Sequence, residues 1–67
     1  MRQVLMNQRT FGKQTRREIV RLVPSAHSFR KGTGGARLIK DSSGETVATW
    51  HPPQGFYGRR LGLLVIC

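Results

Sequence analysis

Apolar positions in this chain come in short groups set apart by polar, glycine-rich and proline-containing stretches. Val4, Leu5 and Met6 form the first group and read as a short strand, which Asn7-Gln8-Arg9 interrupts. The next group follows Thr15-Arg16-Arg17-Glu18, which has the spacing of a capping box. In such a box Thr15 accepts from the Glu18 amide, and the Glu18 carboxylate reaches back to the Thr15 amide. Ile19, Val20, Leu22 and Val23 then fall on one broad stripe at helical period. Arg17 and Arg21 share the opposite face, and Pro24 stops the helix because it forces the preceding residue out of the α region. The pattern predicts roughly two turns of helix, apolar inside and basic outside, too short to persist without docking.

Further along, two runs flank Asp41-Ser42-Ser43-Gly44: Ala36 to Lys40 and Glu45 to Trp50. Asp first and Gly last suit a type I turn closed by a glycine at positive φ, so this is a β-hairpin over residues 36–50. If Asp41 opposes Glu45, Ile39 pairs with Val47, Leu38 with Ala48 and Ala36 with Trp50. The expected core face is then Ala36, Leu38, Ala48 and Trp50. Ser28-Phe29-Arg30 reads as a third strand before the glycine-rich turn, and His51-Pro52-Pro53-Gln54-Gly55 as a loop. Leu61 to Ile66 has no helical face and reads as a buried strand, with self-association through this apolar C-terminal stretch as the alternative. The fold class is therefore α+β: one short helix packed on a small antiparallel sheet.

Length narrows this to one small basic domain spanning 1–67. A chain of 67 residues buries only about 60% of the surface its unfolded form exposes, which excludes a layered enzyme fold with a deep dry pocket. One cysteine permits no internal disulfide and no thiolate metal cluster, and no metal or cofactor is expected. No stretch approaches the roughly 20 apolar residues of a membrane span, and the N-terminal apolar run is too short for a secretory signal. The expected setting is the cytoplasm, away from membranes.

Charge changes the picture most. Twelve Lys and Arg stand against three Asp and Glu, a formal net charge of +9. Such an excess costs the compact state self-repulsion unless a polyanion offsets it. Nine of the twelve are Arg, whose planar fork grips phosphate in bidentate fashion. Among the basic residues, clusters form at Arg16, Arg17 and Arg21; at Arg30, Lys31, Arg37 and Lys40; and at Arg59 with Arg60. Between Lys31 and Arg37, Gly32, Gly34 and Gly35 leave backbone amides open to a phosphate, or simply join two strands. Phe56-Tyr57 beside Arg59-Arg60 offers rings for stacking, with Tyr57 the more exposed candidate. Trp50 and Phe29 are expected in the core. His27 and His51 sit in loop contexts with no carboxylate near them in sequence, so no catalytic residue is assigned.

Gly32-Thr33-Gly34-Gly35 resembles the GXXG loop of KH domains, in which case Ala36 to Lys40 would open a helix. A wider resemblance covers Arg17 to Pro53: helix, then Phe29-Arg30-Lys31-Gly32, a hairpin turning at a glycine, then His51-Pro52. This order is similar to that of the HicA-type mRNA interferase toxins, small proteins with a double-stranded-RNA-binding-like fold. The resemblance implies a sheet with helices on one side and an RNA-facing surface. That family's catalytic His follows a Lys-Gly-Ser, whereas Lys31-Gly32-Thr33 is followed here by Gly34. The favoured function is non-catalytic nucleic-acid binding, RNA ahead of DNA. The alternatives are a HicA-like ribonuclease and a small inhibitor docking on an acidic protein.

Overall fold

A computed structural model describes residues 1–55 and 58–67 of the chain. In order they form β1 (Arg2–Met6), α1 (Lys13–Leu22), β2 (Ser28–Lys31), a short 3-10 turn (Thr33–Gly35), β3 (Arg37–Lys40), β4 (Thr46–His51) and β5 (Gly62–Ile66). The strands make one five-stranded sheet in the order β1-β5-β4-β3-β2, antiparallel throughout. The α+β architecture expected from the pattern is present, with α1 carrying the chain from one edge strand to the other.

The helix begins three residues earlier than the capping box places it. Gly12 is the N-cap, and Arg16 makes the first backbone bond, its amide donating to the Gly12 carbonyl at 3.0 Å. Thr15 is 1% exposed and does not cap: its hydroxyl donates to the Thr10 carbonyl at 2.6 Å, tying the entry loop to the helix. Glu18 instead accepts from the Gln8 side chain at 3.5 Å. The buried stripe consequently runs Thr15, Ile19, Leu22 and Val23, and Val20 falls outside it at 43% exposure. The exit is as expected: the Val23 amide bonds the Ile19 carbonyl at 2.7 Å and Pro24 follows.

Asp41 does oppose Glu45 across the hairpin, the Asp41 amide donating to the Glu45 carbonyl at 2.9 Å. Gly44 takes φ of 89°, the left-handed conformation the turn requires. Past the turn, however, the pairing differs from the expected one. Lys40 faces Thr46 while Ile39 faces Ala48, so Val47 is an extra residue in β4. This bulge shifts the partners by one, and side chains alternate with period two, so one shifted residue changes which face is buried. Ile39 is the buried β3 residue, and Leu38 lies on the opposite face with Thr49 across from it. Ala36 precedes the strand and pairs with nothing in it. Segment 37–40 is strand, which removes the helix a KH loop would open.

The core lies between α1 and one face of the sheet: Met6, Ile19, Val23, Ile39, Ala48, Trp50 and Leu64 are buried, with Phe11 and Phe29 packed against them. Trp50 is seated by glycine. A Cβ on Gly62 would lie 2.7 Å from its Nε1 and 2.9 Å from Cε2. The apolar C-terminal stretch is the strand β5, second in the sheet, with Gly62 and Leu64 buried and Leu63 and Val65 half-buried. By alternation Leu63 and Val65 share the face away from the helix with Leu5, Leu38, Thr49 and His51.

Candidate nucleic-acid interface

Three connections leave one end of the sheet, because alternate strands run in opposite directions: residues 7–12, 32–36 and 52–61. The first carries Phe11 over the sheet, where its ring stands 5.3 Å from Trp50 and 5.7 Å from Phe29 between centroids. Between this entry, the first turn of α1 and the edge strand β2 lies a groove of about 470 Å³. Phe11, Lys13, Arg16, His27, Phe29 and Arg37 line it together with Gly12 and Ser28.

Two of its cations are held by rings. The Arg16 guanidinium carbon sits 5.0 Å from the Phe29 centroid, and that of Arg37 sits 4.5 Å from the Phe11 centroid. Such cation–π contacts hold the guanidinium beside the ring while leaving it N–H groups with which to bond an anion. The chain's three carboxylates are elsewhere. Glu18 lies on the other flank of the helix, while Asp41 and Glu45 close the hairpin turn at the far end of the sheet. No carboxylate therefore lines the groove. Gly12 offers no side-chain cap and the first turn holds no acidic residue, so the helix amides add partial positive charge at the same place.

The candidate residues from the sequence are thus divided. Arg16 and Arg37 meet in the groove, and Lys31 lies directly across from Arg37 in the β2–β3 pairing. Like charges set opposite one another weaken a strand pair, a cost an anion at this spot would offset. Arg17 and Arg21 sit one helical position round, on the flank with Gln8, Gln14 and Glu18, beside a smaller depression of about 150 Å³. Arg30 and Lys40 alternate onto the sheet face away from the helix. Arg59 is half-buried, and its Nη2 donates to the Pro52 carbonyl at 2.6 Å, which holds Arg59 beside the end of β4; Arg60 is exposed. Tyr57, and Phe56 with it, lie outside the described residues. Gly32, Gly34 and Gly35 make the β2–β3 turn, with the Gly32 amide bonded to the Ala36 carbonyl at 2.8 Å and Gly34 and Gly35 at φ of 67° and 81°. Of the two roles open to this segment, strand joining is thereby filled.

The sequence did not single out Lys13 and placed Phe29 in the core, whereas both line the groove. The Phe11-Gly12-Lys13 triplet was the available signal, because a helix beginning at Lys13 puts Lys13 and Arg16 on one flank. The histidines are separated by the sheet. His27 is exposed on the groove, whereas His51 ends β4 on the face away from the helix, its Nε2 3.0 Å from the Thr49 hydroxyl. Among the described residues no three His, Cys, Asp or Glu side chains gather to hold a metal, and no helix is long and apolar enough to cross a membrane. The arrangement is suited to hold an anion with planar donors against aromatic rings. Comparison with known proteins finds no family model that matches the chain, no curated protein that matches it and no solved structure that matches it.

Proposed function

We propose that this chain is a non-catalytic nucleic-acid-binding module that favours RNA over DNA. The observation that carries the reading is the groove where Lys13, Arg16 and Arg37 converge on Phe11 and Phe29 with no carboxylate among them. Cations that serve only solubility have no reason to gather in a concavity, where their mutual repulsion is greatest. Rings beside phosphate-binding groups suit unstacked nucleotides, the form in which single-stranded RNA presents its bases. Arg17, Arg21 and Arg30 add longer-range attraction around the groove. A cytoplasmic setting belongs to the same reading.

The test is a salt titration of binding to labelled single-stranded RNA, double-stranded RNA and duplex DNA. If five or six phosphates are neutralised on duplex, log K falls against log of salt concentration with a slope of about −4.5 to −5.4, and less steeply on single strands. A flat dependence on all three overturns the reading and turns attention to an acidic protein partner. The second reading, a ribonuclease resembling the HicA-type toxins, is favoured by one observation: His27 stands on the groove. RNA integrity in the same samples decides it. Cleavage that disappears in His27→Ala supports the enzyme, and intact RNA removes it.

A further inference from the structure

We propose that the groove receives the phosphorylated end of a single strand: a terminal nucleotide bearing a phosphate monoester, in place of a run of internal backbone. This rests on the nucleic-acid reading above and narrows it to one ligand group.

The first argument is size. A groove of about 470 Å³ falls in the range of pockets that enclose one small molecule. Proteins that follow internal single strands instead use long channels, on the order of 4–16 nucleotides for each binding fold. Here the groove is bounded along its length by Phe11 and Gly12 at the helix entry, His27 and Ser28 at the start of β2, and Arg37 at the start of β3.

The second argument is charge. Lys13, Arg16 and Arg37 bring three cations to this single concavity, with Lys31 opposite Arg37 in the adjoining strand. An internal phosphodiester carries one negative charge. A terminal monoester carries about −1.5 to −2 at neutral pH and presents three acceptor oxygens. The monoester is the better match for the cations assembled.

The third argument is preorganisation. Arg16 and Arg37 are each laid on a ring, Phe29 and Phe11, whose centroids are 5.7 Å apart. Two guanidinium groups restrained in this way can bond a monoester from two sides, with part of their side-chain entropy already spent before binding. Beside them His27 and Ser28 provide the wall against which the attached sugar and base would lie.

The experiment uses the full chain and one short single-stranded RNA, labelled internally, in three forms: 5′-phosphorylated, 3′-phosphorylated and with hydroxyl at both ends. Binding is read by fluorescence anisotropy at fixed salt. One phosphorylated form is expected to bind at least about tenfold tighter than the hydroxyl-ended strand, the scale of one charge-assisted bidentate contact. Unlabelled nucleoside monophosphate is expected to displace it. Arg16→Lys and Arg37→Lys keep the charge but lose the fork, so each should weaken the phosphorylated strand more than the hydroxyl-ended one and shrink the preference between them. Thermal unfolding of both variants checks that the fold is kept. Equal affinity for all three strands overturns the terminal-phosphate proposal and leaves the nucleic-acid reading standing. Failure to bind any of them overturns both.

Discussion

Gly62 shows how closely single residues are specified in a core this small. The Trp50 indole lies against its Cα, and any side chain there enters the ring. Gly62→Ala is expected to lower unfolding free energy by about 1–3 kcal/mol, the usual cost of overpacking, measured by urea denaturation. Asp41 is specified differently, by polar contacts in water. The Ser43 hydroxyl and the Glu45 amide donate to its carboxylate, with further help from the Ser43 and Gly44 amides, and hold its pKa below the ordinary value. A depressed carboxyl adds stability that is fully present above its unfolded pKa, near 4, and is lost as pH falls through the folded value. The denaturation midpoint of Asp41→Asn should therefore fall less steeply with acidification than that of the parent, which a urea series from neutral to acid pH would show. Arg16 and Arg17 make a further point at this scale. Neighbours in sequence, they are about 100° apart on a helix and serve different surfaces, so a run of basic residues in the chain does not define one patch.

At the scale of elements, much was legible. Periodicity identified the helix and its exit at Pro24, the turn chemistry of Asp41 and Gly44 identified the hairpin, and apolar runs identified β1 and β5. What escaped were features set by contacts between elements. The helix entry is fixed by Phe11 reaching Trp50 and by the Thr15 hydroxyl bonding Thr10, neither of which a capping pattern encodes. The hairpin register depends on the bulge at Val47, whose carbonyl accepts from the amide of Cys67, beside β5 and outside the hairpin altogether. Groove residues were half legible for the same reason. Arg16 and Arg37 stood out by type, but Lys13 and His27 join them only because the β1–α1–β2 path crosses the whole sheet. One pair of variants separates the two accounts of the helix entry. Thr15→Val should cost about 1–2 kcal/mol by stranding the Thr10 carbonyl, whereas Glu18→Ala should cost well under that, since Glu18 caps nothing. A capping box would have made the two losses similar.

For the molecule as a whole, chemistry is divided between two sides of one sheet. The helix side holds the core and, at one margin, the cationic groove. The other side presents Leu5, 60% exposed, with Leu38, Leu63 and Val65 around Thr49 and His51, and has Arg30 and Lys40 toward the β2 margin. A net charge of +9 is therefore carried unevenly. Under the proposed function this unevenness would give a polyanion a defined approach direction, since steering follows the distribution of charge as well as its sum.

The position of β5 between β1 and β4 also has a bearing on the route to this fold. Arg2 pairs with Ile66, so the sheet is completed by residues far apart in sequence, and that pairing closes a loop containing every other element of the fold. Pairings that distant are slow to find, because the entropy of closure is spent before any contact repays it. The same adjacency makes the ends joinable. A circular permutant linking Cys67 to Met1 through a short turn, and opened at the exposed Pro24–Ser25 bond, would turn β5–β1 into a local hairpin. Stopped-flow refolding should be faster in that permutant than in the parent chain, with the spectrum of the folded protein preserved.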